Sequence, residues 1–498
     1  MNFLGKGGLS GTFFIRRGDK GYFCASICKV GNKNKRYTIE NAEIVDISSE
    51  GMGVAKVNDL VVFVEGAVPG DVCDFLVYKK KKSYSFAKLT QLKKASPRRA
   101  DPVCQHFGTC GGCKWQNLEY TSQLEFKQNQ VTQAMKRLAK IEVGEMLPIL
   151  GCKEQYFYRN KLDFAFSNKK WLTVEQISSK EQFDNRNGLG FHIAGAFDKV
   201  LDIQKCHLQA DISNQIRNEV RRFALEEGYT FFDIRAQVGF LRSLIIRNST
   251  TGELMTIFSF FENNEEQIQT LLSHVQKTFP QITSLVYVIN PKGNDTIFDL
   301  EVKCFHGKPF MLEEMEGLKF KIGPKSFYQT NSKQAYELYK VTREFAELKG
   351  NEVVYDLYTG TGTIAQFVSR NAKKVVGVEY IPEAIADAKE NAALNKIENC
   401  SFFAGDMKEV LSNDFIAEHG TPDVVITDPP RIGMDEKVVR KLLEVAPERI
   451  VYVSCNPSSQ ARDLAILAEK YVVKKMRPVD MFPQTLHIEN VALLQKIS

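Results

Sequence analysis

From residue 353 to the C-terminus, apolar runs recur at 353–357, 374–379, 400–404, 424–427, 449–454, 471–478 and 492–496. Segments of helical period lie between several of them, for example 381–395. Apolar runs of this length bounded by turn residues read as buried strands, and strands joined by helices pair in parallel. The pattern predicts a doubly wound α/β sheet. Such a sheet binds its ligands outside the carboxyl ends of its strands, so the residues that end these runs are the ones to examine.

The first run leads into Asp356-Leu357-Tyr358-Thr359-Gly360-Thr361-Gly362-Thr363, a strand followed by a glycine-bearing turn and then a helix. Glycines let backbone approach a ligand where a side chain would block it. The second run ends in Glu379, placed to hydrogen-bond a ribose, and the third in Gly405-Asp406, suited to an adenine amine. A dinucleotide fingerprint would need a third glycine, which this turn lacks, and Asp356 makes the loop acidic. D-x-x-x-G-x-G resembles motif I of S-adenosylmethionine-dependent methyltransferases, whose ligand carries a sulfonium and no phosphate.

The fourth run ends in Asp428-Pro429-Pro430-Arg431, a carboxylate on a rigid turn, and the fifth in Ser454-Cys455-Asn456-Pro457. A thiolate is the most available protein nucleophile near neutral pH. Before the last run comes His487-Ile488-Glu489, with Glu489 read as lying on a short loop. Taken singly, Cys455 reads as an inert buried thiol and Glu489 as a solvated acid. Gathered at the strand ends of one sheet, they point to a shared site.

Upstream, residues 41–47, 54–57, 60–64, 71–78 and 85–93 read as five short strands, a small closed barrel of the OB kind. From Phe75 to Ala100 there is no acidic residue, while Lys79, Lys80, Lys81, Lys82, Lys88, Lys93, Lys94, Arg98 and Arg99 are basic and Tyr78, Tyr84 and Phe86 interleave. That composition fits a polyanion such as single-stranded nucleic acid better than an ordinary solvated face. A Pro- and Arg-containing linker, 95–102, leads to a cysteine-rich loop, a helical stretch at 118–138 and a mixed α+β region. Residues 171–188 are polar and read as a loop or insertion, and no internal repeat is present.

Cys104, Cys110 and Cys113 cluster, and Cys206 follows at a distance. Four thiols suit tetrahedral zinc or a [4Fe–4S] cluster, and spacing does not choose between them. Cys24, Cys28, Cys73, Cys152, Cys304 and Cys400 read as bystanders. Length allows about three domains at roughly 150 residues each. The division expected is 1–35 as a weakly structured extension from an upstream start, 36–99 as the barrel, 100–317 as the cysteine loop with a central α+β domain, and 318–498 as the α/β domain. Within the third of these, the 118–138 helix is a candidate to pack on the α/β domain. The longest apolar runs are strand-length and no signal peptide is recognisable, which points to a cytoplasmic protein without a membrane span; a monomer is the default.

The ordered set Phe327-Tyr328-Gln329-Thr330-Asn331, the Asp356 loop, Asp428-Pro429-Pro430-Arg431, Ser454-Cys455-Asn456-Pro457 and His487-Ile488-Glu489 resembles one family, the RNA 5-methyluridine methyltransferases. The resemblance runs from about residue 36 to the C-terminus. It is to the branch with an N-terminal TRAM domain and an iron–sulfur cluster, the RumA/RlmD type that modifies large-subunit ribosomal RNA. It implies an OB-like TRAM barrel, a central domain with the Fe–S loop, and a Rossmann-like methyltransferase domain. It also implies Cys455 as nucleophile on uracil C6, Glu489 as base, and Asp428 and Gln329 as positioning groups for base and cofactor. Asp356, Tyr358, Gly360, Gly362, Thr363, Glu379 and Asp406 would bind S-adenosylmethionine, although the family more often has Asn where Thr363 stands. Cys104, Cys110, Cys113 and Cys206 would hold [4Fe–4S]. The partner would be 23S rRNA presenting a flipped uridine, with no DNA. Tyr158-Arg159-Asn160-Lys161 matches a family segment that could meet RNA phosphates or serve structure.

Three rivals stand beside this reading. A transfer-RNA uridine methyltransferase shares the chemistry. A 5-methylcytosine enzyme would carry a second Cys in a Pro-Cys turn where this chain has Asp428-Pro429-Pro430. A non-catalytic RNA-binding assembly factor would have no need of Cys455, Glu489 and the cofactor loop together.

Overall fold

The structure is a computed structural model that describes residues 36–179 and 185–497. The expected 1–35 extension, with Cys24 and Cys28, lies outside the described residues.

Residues 36–48 and 52–97 form one compact unit. Strands Tyr37–Ile47, Gly53–Val57, Leu60–Glu65, Val72–Lys80 and Tyr84–Lys94 close into a barrel in the order first, second, third, fifth, fourth. Ile39, Ile44, Val62, Val64, Phe75 and Ala87 fill its interior. Alternation along the strands turns Phe63, Tyr84 and Phe86 outward, where their rings cluster at centroid distances of 5.5–5.8 Å. Lys79 lies over the Phe86 ring, and Lys80, Lys81, Lys82 and Lys88 are exposed.

The remaining described residues form a second compact unit. Two sheets were expected to make separate domains here, but they share a core. Met255, Ile257, Val286 and Val288 of the central sheet pack in one cluster with Val354, Ile426, Val451 and Val491 of the C-terminal sheet. The central sheet has seven strands, built on Lys161–Ser167, Leu241–Asn248 and Leu254–Phe260. Within the span read as a loop, Val174–Ser178 is a short helix.

The C-terminal sheet has eight strands in the order Cys400–Ala404, Lys374–Glu379, Val353–Leu357, Val424–Thr427, Arg449–Ser454, Glu489–Lys496, Tyr471–Val479, Val143–Met146. The first five are parallel, and Glu489–Lys496 runs antiparallel between its neighbours. The order reverses at Val353–Leu357, which creates the crevice where such sheets bind ligands.

Two differences from the sequence reading matter. Strand Val143–Met146 falls in the stretch assigned to the central domain, yet it pairs with Tyr471–Val479 as the edge of the C-terminal sheet. The helix before it, Tyr120–Ala134 continued by a π turn at Met135–Ala139, packs on the same sheet. A four-residue strand has too little pattern of its own to declare its partner. Secondly, Glu489 is not on a loop: it is the first residue of its strand, opposite Val479, and is buried. Asn490, next along this strand, is buried with its side-chain amide donating to Gln460 Oε1 at 2.7 Å, which offsets part of the cost of burying it.

Candidate active site

Strand Val353–Leu357 delivers Asp356 to the crevice fully buried. Its Oδ2 accepts from Thr359 Oγ1 at 2.5 Å and from the Ala365 amide at 3.0 Å. Its Oδ1 is buried without a partner among the described residues. Burial, with the nearby Glu379 charge, raises the carboxyl to about 7. An orphaned buried acceptor at a switch point suits a cationic or N–H donor ligand such as the S-adenosylmethionine amino group. Tyr358 takes a left-handed conformation (φ 63°), as do Gly360 and Gly362. At Gly362 a Cβ would stand 2.9 Å from Ala388 Cβ and Phe402 Cε1, so only glycine fits this turn. Thr363 is buried at the start of helix Thr363–Ser369, its hydroxyl 3.3 Å from that of Thr361.

Glu379 ends the neighbouring strand half-buried, its carboxylate accepting from the Gly360 amide at 3.1 Å and the Ile381 amide at 3.1 Å. Asp406 ends the next, but its Oδ1 caps helix Met407–Val410 through the Lys408 amide. The structure therefore gives Asp406 a capping role beside any ligand role.

Asp428 follows Val424–Thr427, its amide donating to the Leu357 carbonyl at 3.3 Å. Burial first, and then the Asp356 charge, raise its carboxyl to about 7. Cys455 follows Arg449–Ser454. Ser454 pairs with Asn490 and Val453 with Val491, so Cys455 and Glu489 are the two residues just beyond the last pair of this antiparallel register. Burial pushes the Cys455 thiol up to about 11, helped by Glu489 and Asp428 and opposed by Arg431. Glu489 is held well above the usual carboxylate range by burial and by Asp428, again opposed by Arg431.

Arg431 ties the turn after Val424–Thr427 to the start of helix Pro457–Leu467 and to His487. Its carbonyl accepts from Asn456 Nδ2 at 2.9 Å and from Ser459 Oγ at 3.0 Å, and its Nη2 donates to His487 Nδ1 at 2.6 Å. Burial and the Arg431 charge lower His487 to about 4, so its ring is neutral at physiological pH. The sequence reading noted Arg431 and His487 as motif members and gave neither a role. Tyr339 was missed altogether. It lies buried on helix Ser332–Ala346, and burial with the Asp428, Asp356 and Glu489 charges pushes its hydroxyl up. Its only signal was an apolar helix position, which looks like core.

Gln329 is half-buried, and its carbonyl accepts from Asn160 Nδ2 at 2.8 Å. The Tyr158–Lys161 segment is mainly structural: Tyr158 and Asn160 are buried, the Tyr158 hydroxyl donates to the Pro483 carbonyl, and Lys161 pairs with Asp163.

Away from this site, Cys104, Cys110, Cys113 and Cys206 line one cavity of about 460 Å³. Burial raises Cys110 to about 11 and Cys113 to about 12, and raises Cys206 as well. Arg159 lines the cavity with its Nε buried and unpartnered among the described residues. Arg217 is fully buried nearby, its charge acting on Cys206. Among the described residues no group of three or more His, Cys, Asp or Glu side chains could hold a single metal ion. The expected iron–sulfur cluster is thus not shown. No described helix is long and apolar enough to cross a membrane.

Comparison with known proteins bears on this geometry. The TRAM domain family matches residues 35–90 and the tRNA (uracil-5-)-methyltransferase family matches residues 310–497. A protein described as an uncharacterized RNA methyltransferase of Bacteroides thetaiotaomicron is 58% identical over 452 residues, covering 90% of this chain and 100% of its own. A protein of the same description from Porphyromonas gingivalis is 55% identical, covering 91% of this chain and 99% of its own. Among solved structures, the Pyrococcus abyssi tRNA (uracil-54, C5)-methyltransferase in complex with S-adenosyl-L-homocysteine matches with a TM-score of 0.71 and 28% identity, covering 91% of this chain and 100% of that one.

Proposed function

The chain belongs to the RNA (uracil-5-)-methyltransferases that carry a TRAM domain, and from that premise we propose that it methylates C5 of a specific uridine in 23S rRNA through covalent addition of Cys455 to uracil C6. The observation that carries the mechanism is the register that brings Cys455 and Glu489 to one end of a strand pair beside Asp428 and Arg431.

Uracil C5 is a weak nucleophile toward a sulfonium methyl. The Cys455 thiolate adds to C6, and the electron pair of the C5–C6 double bond becomes an enolate with density on C5. C5 then takes the methyl group that S-adenosylmethionine supplies. Glu489 removes the C5 proton, the C5–C6 double bond re-forms, and the Cys455–C6 bond breaks to release the thiolate. A buried carboxylate held above its ordinary range is a stronger base than a surface one, which suits Glu489 to a carbon acid. Arg431 favours the ionised forms of both Cys455 and Glu489. Asp428, Gln329 and Tyr339 position base and cofactor. Asp356, Tyr358, Gly360, Gly362, Thr363, Glu379 and Asp406 form the cofactor crevice, with Asp356 Oδ1 as the unspent acceptor. The reacting uridine leaves its stack to expose C5 and C6.

The barrel serves as an RNA-tracking face. Phe63, Tyr84 and Phe86 offer ring surface for bases, and Lys79, Lys80, Lys81, Lys82 and Lys88 offer charge for phosphates.

Four Cys line the cavity, a donor set that suits a [4Fe–4S] cluster or tetrahedral zinc, and the family resemblance favours the cluster. Buried Arg217 and Arg159 would offset the negative charge of four thiolates. Cys104, Cys110, Cys113 and Cys206 would hold a [4Fe–4S] cluster as a structural tie; methyl transfer needs no electron from it.

A second reading, a transfer-RNA uridine, is favoured by the likeness to the Pyrococcus abyssi enzyme over nearly the whole chain. Mapping 5-methyluridine in 23S rRNA and in transfer RNA, with and without the gene, separates the two. Loss of one modified position in 23S rRNA supports the first reading, and loss confined to transfer RNA replaces it with the second.

A further inference from the structure

Arg431 presents a contradiction of mobility. It is an exposed residue with a long side chain, yet its guanidinium acts against the acids around Cys455. Those acids are Glu489, on the antiparallel neighbour strand, and Asp428, on the parallel neighbour beyond. An unheld guanidinium would spend most of its time in solvent and do little for a half-buried thiol. The backbone of Arg431 is fixed by Asn456 and Ser459, but that leaves the side chain free to turn. Among the described residues its guanidinium has one hydrogen-bond partner, His487.

His487 is itself built to stay in place. It lies in the Asp480–Ile488 connector, whose ends are pinned by the pairing of Val479 with Glu489. The middle of that connector is gripped from outside. Gln484 takes a left-handed backbone (φ 67°), and its amide donates to Gln123 Oε1 at 3.0 Å while its side-chain oxygen accepts from Gln123 Nε2 at 2.9 Å. The Lys114 and Trp115 amides both donate to the Gln484 carbonyl. Thr485 Oγ1 donates to the Phe482 carbonyl and accepts from the His487 amide, and the Phe482 ring meets the imidazole edge-to-face at 6.1 Å. A guanidinium N–H can only donate, so Nδ1 must present its lone pair and the ring proton sits on Nε2.

We propose that His487 is a positioning residue, whose Nδ1 lone pair holds the Arg431 guanidinium beside Cys455 and Glu489. The inference rests on Cys455 adding to C6. With the guanidinium in place, ionisation of Cys455 is assisted by a fixed positive charge. Without the imidazole the charge drifts to solvent, and Cys455 faces Glu489 and Asp428 unaided.

The test measures the single-turnover rate of covalent adduct formation from about pH 6 to pH 9. The probe is a mixture of 23S rRNA and transfer-RNA transcripts made with 5-fluorouridine, supplied with S-adenosylmethionine. For His487→Ala the rate at neutral pH should fall about tenfold and be regained by raising the pH by about one unit. Arg431→Ala should shift the profile in the same direction, and the double variant should shift it no further. His487→Asn, whose Oδ1 can stand where Nδ1 stood, should restore the wild-type profile. His487→Gln, whose oxygen reaches the Nε2 position instead, should not. A His487→Ala profile lowered equally at every pH overturns the proposal, as does failure of Asn to rescue or equal rescue by Gln. The Asn-against-Gln comparison decides the matter if the alanine variant does not fold. Wild-type protein forming no adduct at any pH would instead remove the C6-addition reading itself.

Discussion

Cys455 and Glu489 each lie one residue beyond the last pair, Ser454 with Asn490, of two adjacent antiparallel strands. The proposed nucleophile and base are thereby brought together at one end of this strand pair. This gives each a separable signature. Cys455→Ala should form no covalent adduct with 5-fluorouridine RNA. Glu489→Gln should form it, and with ordinary RNA should accumulate the methylated covalent complex, because elimination slows by about a hundredfold to ten-thousandfold. Denaturing gels with methyl-labelled cofactor distinguish the two; free product from Glu489→Gln at the wild-type rate would exclude its role as base.

Asp356 Oδ1 is a buried acceptor with no partner among the described residues. Asp356→Asn should weaken S-adenosylmethionine binding by roughly tenfold to a hundredfold, the loss expected of one charge-assisted hydrogen bond. Calorimetric titration reads this directly. Unchanged affinity would show that the ligand's amino group binds elsewhere.

The two crevice carboxyls also make a pH prediction. Asp356 and Asp428 both titrate at about 7 in the folded chain, mainly through burial. In the unfolded chain they titrate near the ordinary value of about 4. Between those values the folded state binds more protons, so their contribution to stability falls as pH rises through that window and levels off above it. Asp428→Asn cannot ionise. Its melting temperature should therefore gain on the wild type from about pH 4 to pH 7. A gap that stays constant or narrows would refute the assignment.

Lys127 and Asp480 form an ion pair at 2.6 Å with both side chains fully buried. Tyr120 donates its hydroxyl to the other Asp480 oxygen, and Lys127 also donates to the Phe482 carbonyl. Lys127→Met should destabilise the protein by about 3–5 kcal/mol, because the Asp480 carboxylate stays buried without its cation. Denaturant unfolding measures this. A loss below about 1 kcal/mol would mean that Asp480 protonates without consequence.

The thiol cavity can be read by elemental analysis. Protein purified without oxygen should carry roughly four iron and four sulfide per chain, and Cys113→Ser or Cys206→Ser should lose both. About one zinc and no sulfide would replace the cluster with a mononuclear site.

Much of the C-terminal sheet was legible. The runs at 353–357, 374–379, 400–404, 424–427 and 449–454 are strands with those bounds, because each is a short stretch rich in apolar, largely β-branched or aromatic residues, too short for a helix and followed by a turn. The barrel strands were readable within a few residues for the related reason that alternation tracks one buried face. Glu489 was misplaced because two polar residues in succession, Glu489 and Asn490, hide the start of a strand whose Asn490 amide finds its acceptor on Gln460, a partner 30 residues away. Strand Val143–Met146 and the Lys127–Asp480 pair were invisible, since partners over 300 residues away leave no local pattern.

The sequence alone determined the sheet class and the order of chemical groups along its strand ends, because apolar periodicity and turn residues are local properties of the chain. It also placed four cysteines where they come to line one cavity. Only the tertiary structure decided which groups meet. It brought Cys455 and Glu489 to the same end of two paired strands, left Asp356 Oδ1 without a partner among the described residues, brought Tyr339 among the acids, and joined Arg431 to His487. Those relations come from packing and from satisfying buried polar groups, which select partners by geometry across the whole chain and not by distance along it.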